Sequence, residues 1–223
     1  MRTALKAVLF DLDGTLYIRA PCLRAFLAAQ YDKRRDILGV VPREAFIEAF
    51  VACDANGSVR RDEAYPRVLA EIGGDLAAAS LLVDDYVTGY RDFCRPAPGL
   101  FPMLDALRTA GFRLAIITNG QTPIQEGTIA GLGLTHSFDV IVISEREGIR
   151  KPAAEIFRRA LARLDVAAGE AVYVGDNPEA DIDGARAASM GAIWMVNGYY
   201  APPDNADAMV SSLSEIPPLV AEW

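Results

Sequence analysis

The chain has 223 residues, 52% of them hydrophobic, which is enough for one ordinary core and a modest accessory lobe. Its formal charge of -8 repels polyphosphate backbones and anionic lipid, excluding a nucleic acid polymer or a membrane as default partner and leaving any anionic ligand to a local site. No apolar run approaches a membrane span, and the stretch flanked by Arg2 and Lys6 before Asp11 is too short for a signal h-region, so a cytoplasmic chain is expected, as a monomer or small homo-oligomer.

Along the chain, short apolar runs alternate with longer helical patterns, the order expected of strand-helix-strand units around a parallel sheet. Five strands are predicted, "ALKAVLF" (4–10), "FRLAIIT" (112–118), "FDVIVIS" (138–144), "AVYVG" (171–175) and "AIWMV" (192–196), each continuous enough to be covered on both faces. Between them, "GLFPMLDALRTAG", "IQEGTIAGLG", "AAEIFRRALARL" and "PEADIDGARAASMG" carry apolar residues at helical spacing and stop at or near glycine. The interval 17–95 breaks this alternation with amphipathic stretches such as "REAFIEAFVA" and no convincing buried strand. It is read as an inserted helical lobe, with residues 1–16 and 96–223 forming the α/β core and "RPAPG" (95–99) the return linker. The lobe has eleven basic and twelve acidic residues, a net of -1, so the acidity belongs to the core.

Cys22, Cys53 and Cys94 are odd in number, widely spaced and without a C-x-x-C pair, which favours reduced thiols over a disulfide or metal site. His136 is the only histidine, so histidine-based nucleophilic catalysis and His-rich zinc sites are disfavoured, and it is read as structural or merely exposed. Only three of the 22 basic residues are lysines, Lys6, Lys33 and Lys151, a scarcity that suggests a chemical reason for at least one.

In an open parallel sheet, ligands bind beyond the carboxyl ends of the strands. The residues just past those ends repeat one chemistry. Asp11 and Asp13 follow the first strand, Thr118, Asn119 and Gly120 end the second, and Asp176 follows the fourth, with Asp181 at the next helix start. Lys151 follows the third strand after a short loop and precedes Pro152, which suits the first turn of a helix. The spacing of two turns Asp11 and Asp13 to one side and Leu12 into the core. Like charges about 4–6 Å apart repel by roughly 3–4 kcal/mol at an effective dielectric near 20. A divalent cation and the Lys151 ammonium would relieve that repulsion, and an all-oxygen ligand set points to Mg2+. Phosphate suits the remaining groups, with a hydroxyl from Thr118, amides near Asn119 and Gly120, and charge from Lys151, leaving Asp13 as a proton donor.

These segments, "DLDGT" (11–15), "ITNG" (117–120), "RKP" (150–152) and "GDNPEAD" (175–181), resemble the four motifs of the haloacid dehalogenase superfamily, and the helical lobe resembles its type 1 cap. The resemblance implies a Rossmann-like core with a parallel sheet flanked by helices plus an inserted helical cap, and a phosphatase acting on a small phosphorylated metabolite. It also implies a nucleophilic Asp11, an acid/base Asp13 and phosphate contacts from Thr118 and Lys151. Mg2+ would be bound with Asp11, Asp176 and the main-chain carbonyl of Asp13, and Asp181 would complete or orient the metal shell. The cap is expected to close over the substrate.

Some nucleotide phosphatases of the superfamily continue the second motif as N-G-x-x-x-x-Q-x-x-K; Asn119, Gly120 and Gln125 fit, but Thr128 replaces the lysine. Rival readings are a 2-haloacid dehalogenase, whose family pattern lacks the second aspartate, a phosphomutase, and a non-catalytic binding protein on the same fold. Outside the motifs, Asp183 is read as solvent-facing or structural and "DKRRD" (32–36) as mostly a solvated face, whereas Tyr17 and Arg19 stand close to the first motif and are candidates for substrate contact.

Overall fold

The computed structural model describes residues 4–223, so Arg2 lies outside the described residues. Two compact units emerge. One comprises the described residues through Ile18 with Pro96–Thr122 and Gly133–Trp223, and the other comprises Arg19–Arg95 with Pro123–Leu132.

The first unit is built on six parallel strands: β1 Ala7–Phe10, β2 Arg113–Thr118, β3 Val140–Ile143, β4 Ala171–Gly175, β5 Gly191–Met195 and β6 Ala208–Val210. Their spatial order is β3-β2-β1-β4-β5-β6. The chain builds outward from β1 on one side and then crosses to β4 on the other, so the connections diverge between β1 and β4. A parallel sheet opens its binding crevice at such a divergence, beyond the carboxyl ends of the strands. Phe10 is level with both Ile116 and Val174, so the segment after β1 emerges between the ends of β2 and β4.

Alternate residues face opposite sides of each strand. Leu9, Ile117, Val142, Tyr173 and Trp194 join one core cluster with Ile156, Phe157 and Leu161 of the helix Ala154–Leu164. The intervening residues Val8, Phe10, Ile116, Val174 and Ile193 are also fully buried. Both faces are therefore covered, which explains the near-continuous apolar runs. Five of the six strands follow the sequence reading. The sixth is only three residues long, with Met209 largely exposed, and is too short to carry a strand signal.

The second unit is helical among its described residues, with its longer helices at Arg19–Lys33, Arg43–Asp54, Arg61–Ile72 and Ala79–Gly89, and it holds all but the first residue of Thr122–Gly131. Its centre is aromatic: Phe50 lies 4.8 Å from Tyr65, and Tyr86 stacks on Tyr90 at 4.7 Å. Pro123–Leu132, which follows the second motif, is grouped with this unit, and Gly131 lies so close to the Arg91 backbone that a Cβ would collide with the Arg91 carbonyl oxygen. No helix among the described residues is long and apolar enough to cross a membrane.

Candidate active site

The residues expected after the strand ends come together in the first unit. Asp11 is buried immediately after β1, and its amide donates to the Val174 carbonyl at 2.9 Å, extending the ladder by one residue before the chain turns away. Leu12 is fully buried and Asp13 half-buried. The next residues close a tight turn, in which the Gly14 amide donates to the Tyr17 carbonyl at 3.0 Å and the Leu16 amide to Leu12 at 3.0 Å. Gly14 has φ +85°, and a Cβ there would run into Asp176 Oδ2. A side chain would thus be strained by the backbone and would collide with a carboxylate.

Asp176 and Asp181 are presented by β4 and the turn that follows. Asn177 caps the wide helical segment Pro178–Asp183 by accepting from the Ala180 amide at 2.9 Å, and its own amide donates to Asp181 Oδ2 at 2.9 Å. Asp181 is therefore folded back and buried. It passes over Gly175, where a Cβ would overlap the Asp181 carboxyl carbon. Asp183 is exposed and accepts from Asn205, in keeping with its solvent-facing reading. One carboxylate oxygen each from Asp11, Asp176 and Asp181 can be chosen so that all lie within 4.8 Å of one another.

Lys151 occupies the centre of this charge. Its ammonium donates at 2.6 Å to Asp11 Oδ1, at 2.6 Å to Asp181 Oδ1 and at 2.9 Å to the Tyr173 hydroxyl. The expected helical first turn is not its setting: Lys151 and Pro152 lie in a turn, joined by a cis peptide bond, and the helix begins at Ala154. Backbone contacts hold the turn instead. The Asn119 side chain donates to the Lys151 carbonyl at 3.0 Å and accepts from the Lys151 amide at 2.9 Å. Upstream, Glu147 is gripped by Arg159 and Arg163 of the following helix at 3.2 and 2.7 Å, which fixes the loop between β3 and Lys151. Asn119 thus serves the lysine's backbone. The Gly120 amide donates to Ser144 Oγ at 3.0 Å, so in this structure it is already engaged rather than turned to a ligand. Thr118 is buried at the end of β2.

Three buried carboxylates share one ammonium, leaving a charge of -2 when all are ionised. Burial pushes the Asp11 carboxyl up to about 7 against the pull of Lys151, with repulsion from Asp181 and Asp13 adding to the rise. Asp176 goes further, to about 9, again chiefly through burial and then through repulsion by Asp11 and Asp181. Burial alone would lower the Lys151 ammonium, but Asp11 and Asp181 outweigh it and hold it above the ordinary lysine value. An all-oxygen cluster with this excess negative charge fits a hard divalent cation.

Several contributors carry no motif signal. The Tyr17 hydroxyl donates to Asp13 Oδ1, and Asn197 donates to Asp176 Oδ2. The Trp194 indole donates to the Asp176 carbonyl at 2.8 Å. Tyr173 and Trp194 lie inside strands whose apolar pattern hides them; the signal available was a polar-tipped aromatic on a buried strand, which requires a partner for its O–H or N–H. Arg19, considered beside Tyr17 as a substrate contact, belongs to the helical unit and makes a two-pronged pair with Asp54 at 2.6 and 3.0 Å. His136 is exposed.

A family model described as haloacid dehalogenase-like hydrolase matches residues 5–189. A ribulose-1,5-bisphosphate 5-phosphatase of Halopiger xanaduensis is 35% identical over 217 residues, covering 92% of this chain and 89% of its own. A glyceraldehyde 3-phosphate phosphatase of Methanopyrus kandleri is 34% identical over 208 residues, covering 88% of this chain and 86% of its own. Among solved structures, a 2-haloacid dehalogenase of Pseudomonas syringae superposes with a TM-score of 0.70 at 33% identity, covering 98% of this chain and 99% of that one.

Proposed function

The chain belongs to the haloacid dehalogenase-like hydrolases, and from that premise we propose that it is a Mg2+-dependent phosphatase that hydrolyses a small phosphate monoester in the cytoplasm. The observation that carries this reading is the buried cluster of Asp11, Asp176 and Asp181 around Lys151, with the second carboxylate, Asp13, two residues from the first. Similarity to phosphatases named for a sugar bisphosphate and a triose phosphate supports a small phosphorylated metabolite as substrate.

In the proposed reaction an Asp11 oxygen attacks phosphorus and the bond to the ester oxygen breaks, giving an aspartyl-phosphate. Asp13 gives its proton to the departing alkoxide. It then takes one from the water that attacks phosphorus in the second step, which releases inorganic phosphate and restores Asp11. The contact of Lys151 with Oδ1 of Asp11 leaves Oδ2 as the attacking atom. Tyr17, donating to Asp13, orients that carboxyl group. Thr118 binds a phosphoryl oxygen, Lys151 neutralises charge on the transferring group, and Asn119 acts through the Lys151 backbone. Asp11, Asp176 and the Asp13 carbonyl would hold the cation, with Asp181 supporting the shell; when bound, the cation supplies charge neutralisation for the transferring group. The helical unit serves as the cap that sets substrate choice.

The test is release of inorganic phosphate from a panel of sugar phosphates, nucleoside monophosphates and small organic phosphates. Activity is expected with Mg2+ and should disappear with EDTA. Undiminished turnover after exhaustive chelation would defeat the metal-dependent reading. A second reading, a 2-haloacid dehalogenase, draws on the named structural relative. Halide release from 2-chloropropionate without phosphate release would establish that rival; Asp13 and the excess of carboxylates weigh against it.

A further inference from the structure

An ammonium has three N–H donors, and those of Lys151 have three partners: Asp11, Asp181 and Tyr173. The two carboxylates are expected of a lysine in an acidic pocket. Tyr173 is not: it lies inside β4, fully buried, level with Leu9 of β1 and Ala192 of β5, where an aliphatic side chain would satisfy packing. Its hydroxyl donates to the Ile117 carbonyl at 2.9 Å. With that donation made and the Asp181 carboxylate close by, the hydroxyl oxygen accepts from the ammonium. The ring is fixed as well, standing edge-on to Phe157 at 5.0 Å and 78°. Phe157 is in turn seated against Gly184, where a Cβ would come within 2.6 Å of the ring.

We infer that Tyr173 is a positioning residue: its hydroxyl takes the third N–H of Lys151 and so holds the ammonium between Asp11 and Asp181. It acts through the lysine and makes no contact with substrate. A tyrosine is suited to this because its oxygen accepts from the ammonium without adding a fourth negative charge to the pocket. The kinetic consequence rests on the phosphatase reading, since a displaced Lys151 would turn Asp11 away from the line of attack on phosphorus.

A double-mutant cycle of Tyr173→Phe and Lys151→Met tests the inference. The phenyl ring preserves packing against Phe157, so Tyr173→Phe should fold. It should lower kcat by about tenfold with a smaller change in KM, as expected when orientation rather than binding is lost. In the Lys151→Met background the same change should lower kcat by less than twofold. Equal losses in both backgrounds would overturn the assignment and make Tyr173 a packing residue. Urea unfolding of the four metal-free proteins gives a readout that needs no turnover. Tyr173→Phe should lower the midpoint clearly when Lys151 is present, and by less than half as much in the Lys151→Met background; additive midpoints would also overturn the inference. If the unaltered protein hydrolyses no phosphate monoester, the phosphatase reading fails, and the unfolding cycle still decides whether Tyr173 holds Lys151.

Discussion

Each unit buries a charged cluster, and the two are compensated in opposite ways. In the helical unit, Asp54 is almost fully buried and receives a two-pronged pair from Arg19 and a further contact from Arg61, with the Gly57 amide at 2.9 Å. Burial works against ionisation there, yet the two guanidinium groups win and hold Asp54 below the ordinary carboxylate value. Arg61 also lies over the Tyr86 ring at 5.1 Å. In the sheet unit, three acids share Lys151, and Asp11 and Asp176 are pushed up instead. The cluster that serves the fold gives its one acid two guanidinium groups, an excess of positive charge. One left short of positive charge is prepared for a cation or a reaction, at some cost to the metal-free fold.

The sharpest way to break this contrast is to remove one acid from each cluster. Asp11→Asn should abolish function while sparing the fold. Its amide is a poor nucleophile, so turnover should fall by about 10⁴-fold, and metal-free thermal stability should be unchanged or higher because one repelling charge is gone. Phosphate-release kinetics and a melting curve without metal check both halves. A variant that keeps a substantial fraction of turnover would remove Asp11 from the nucleophile's role.

The reverse is expected of Asp54→Ala, which removes the carboxylate that two buried guanidinium groups share. Its cost should be about 3–5 kcal/mol of stability, read by urea unfolding. A loss below about 1 kcal/mol would mean that the arginines find water or other acids easily, and that Asp54 is not the keystone of the helical unit.

The two clusters should also respond to pH with opposite signs. Asp11 and Asp176 have folded values raised above the ordinary 3.8, so the folded state binds their protons more tightly. The stability they contribute is complete below about pH 4 and is lost as pH rises through about 7 and then about 9. Asp54 has a lowered value, so its contribution is present above 3.8 and is lost as pH falls through the folded value. Metal-free protein should therefore lose at least about 1 kcal/mol, or about 2–4 °C in Tm, between pH 5 and pH 9, and Mg2+ should offset the loss. Asp176→Asn should flatten the alkaline limb. A metal-free Tm that rises over the same interval would contradict the charge excess assigned to this cluster.

The contrast between the clusters also marks what the sequence could disclose. Asp11, Asp176 and Asp181 were legible because each follows an apolar run, and in a parallel sheet the carboxyl ends of neighbouring strands converge even when they are far apart in sequence. Lys151 was legible through its rarity and the adjoining proline, although its turn was not, because Asn119 and Glu147 hold it by tertiary contacts. Tyr173, Trp194 and Asn197 were hidden, the first two by strand periodicity and the third by an unremarkable loop. The Arg19–Asp54–Arg61 cluster was equally hidden, since its partners lie 35 and 7 residues apart on separate elements and no spacing rule joins them. The helical unit's grouping with residues 123–132 follows from packing such as Gly131 against Arg91, which local pattern does not encode.

The smallest expected effect concerns an exception to the helical unit's self-sufficiency. Thr128 is 1% exposed, and its hydroxyl has no hydrogen-bond partner, although a threonine in a helix can often donate to the carbonyl one turn earlier. It occupies the position where the nucleotide-phosphatase pattern has a lysine. Burying an unpaired hydroxyl is unfavourable, and valine has nearly the same shape without it. Thr128→Val should therefore raise stability by about 1 kcal/mol, seen as a higher urea midpoint at unchanged slope, with kcat and KM unaltered across the phosphate panel. A loss of stability would mean that the hydroxyl finds a partner in solution. A selective rise in KM for one class of phosphate ester would have a different meaning: the hydroxyl is unpaired because a substrate group completes it, and this part of the helical unit would then follow the logic of the acidic cluster.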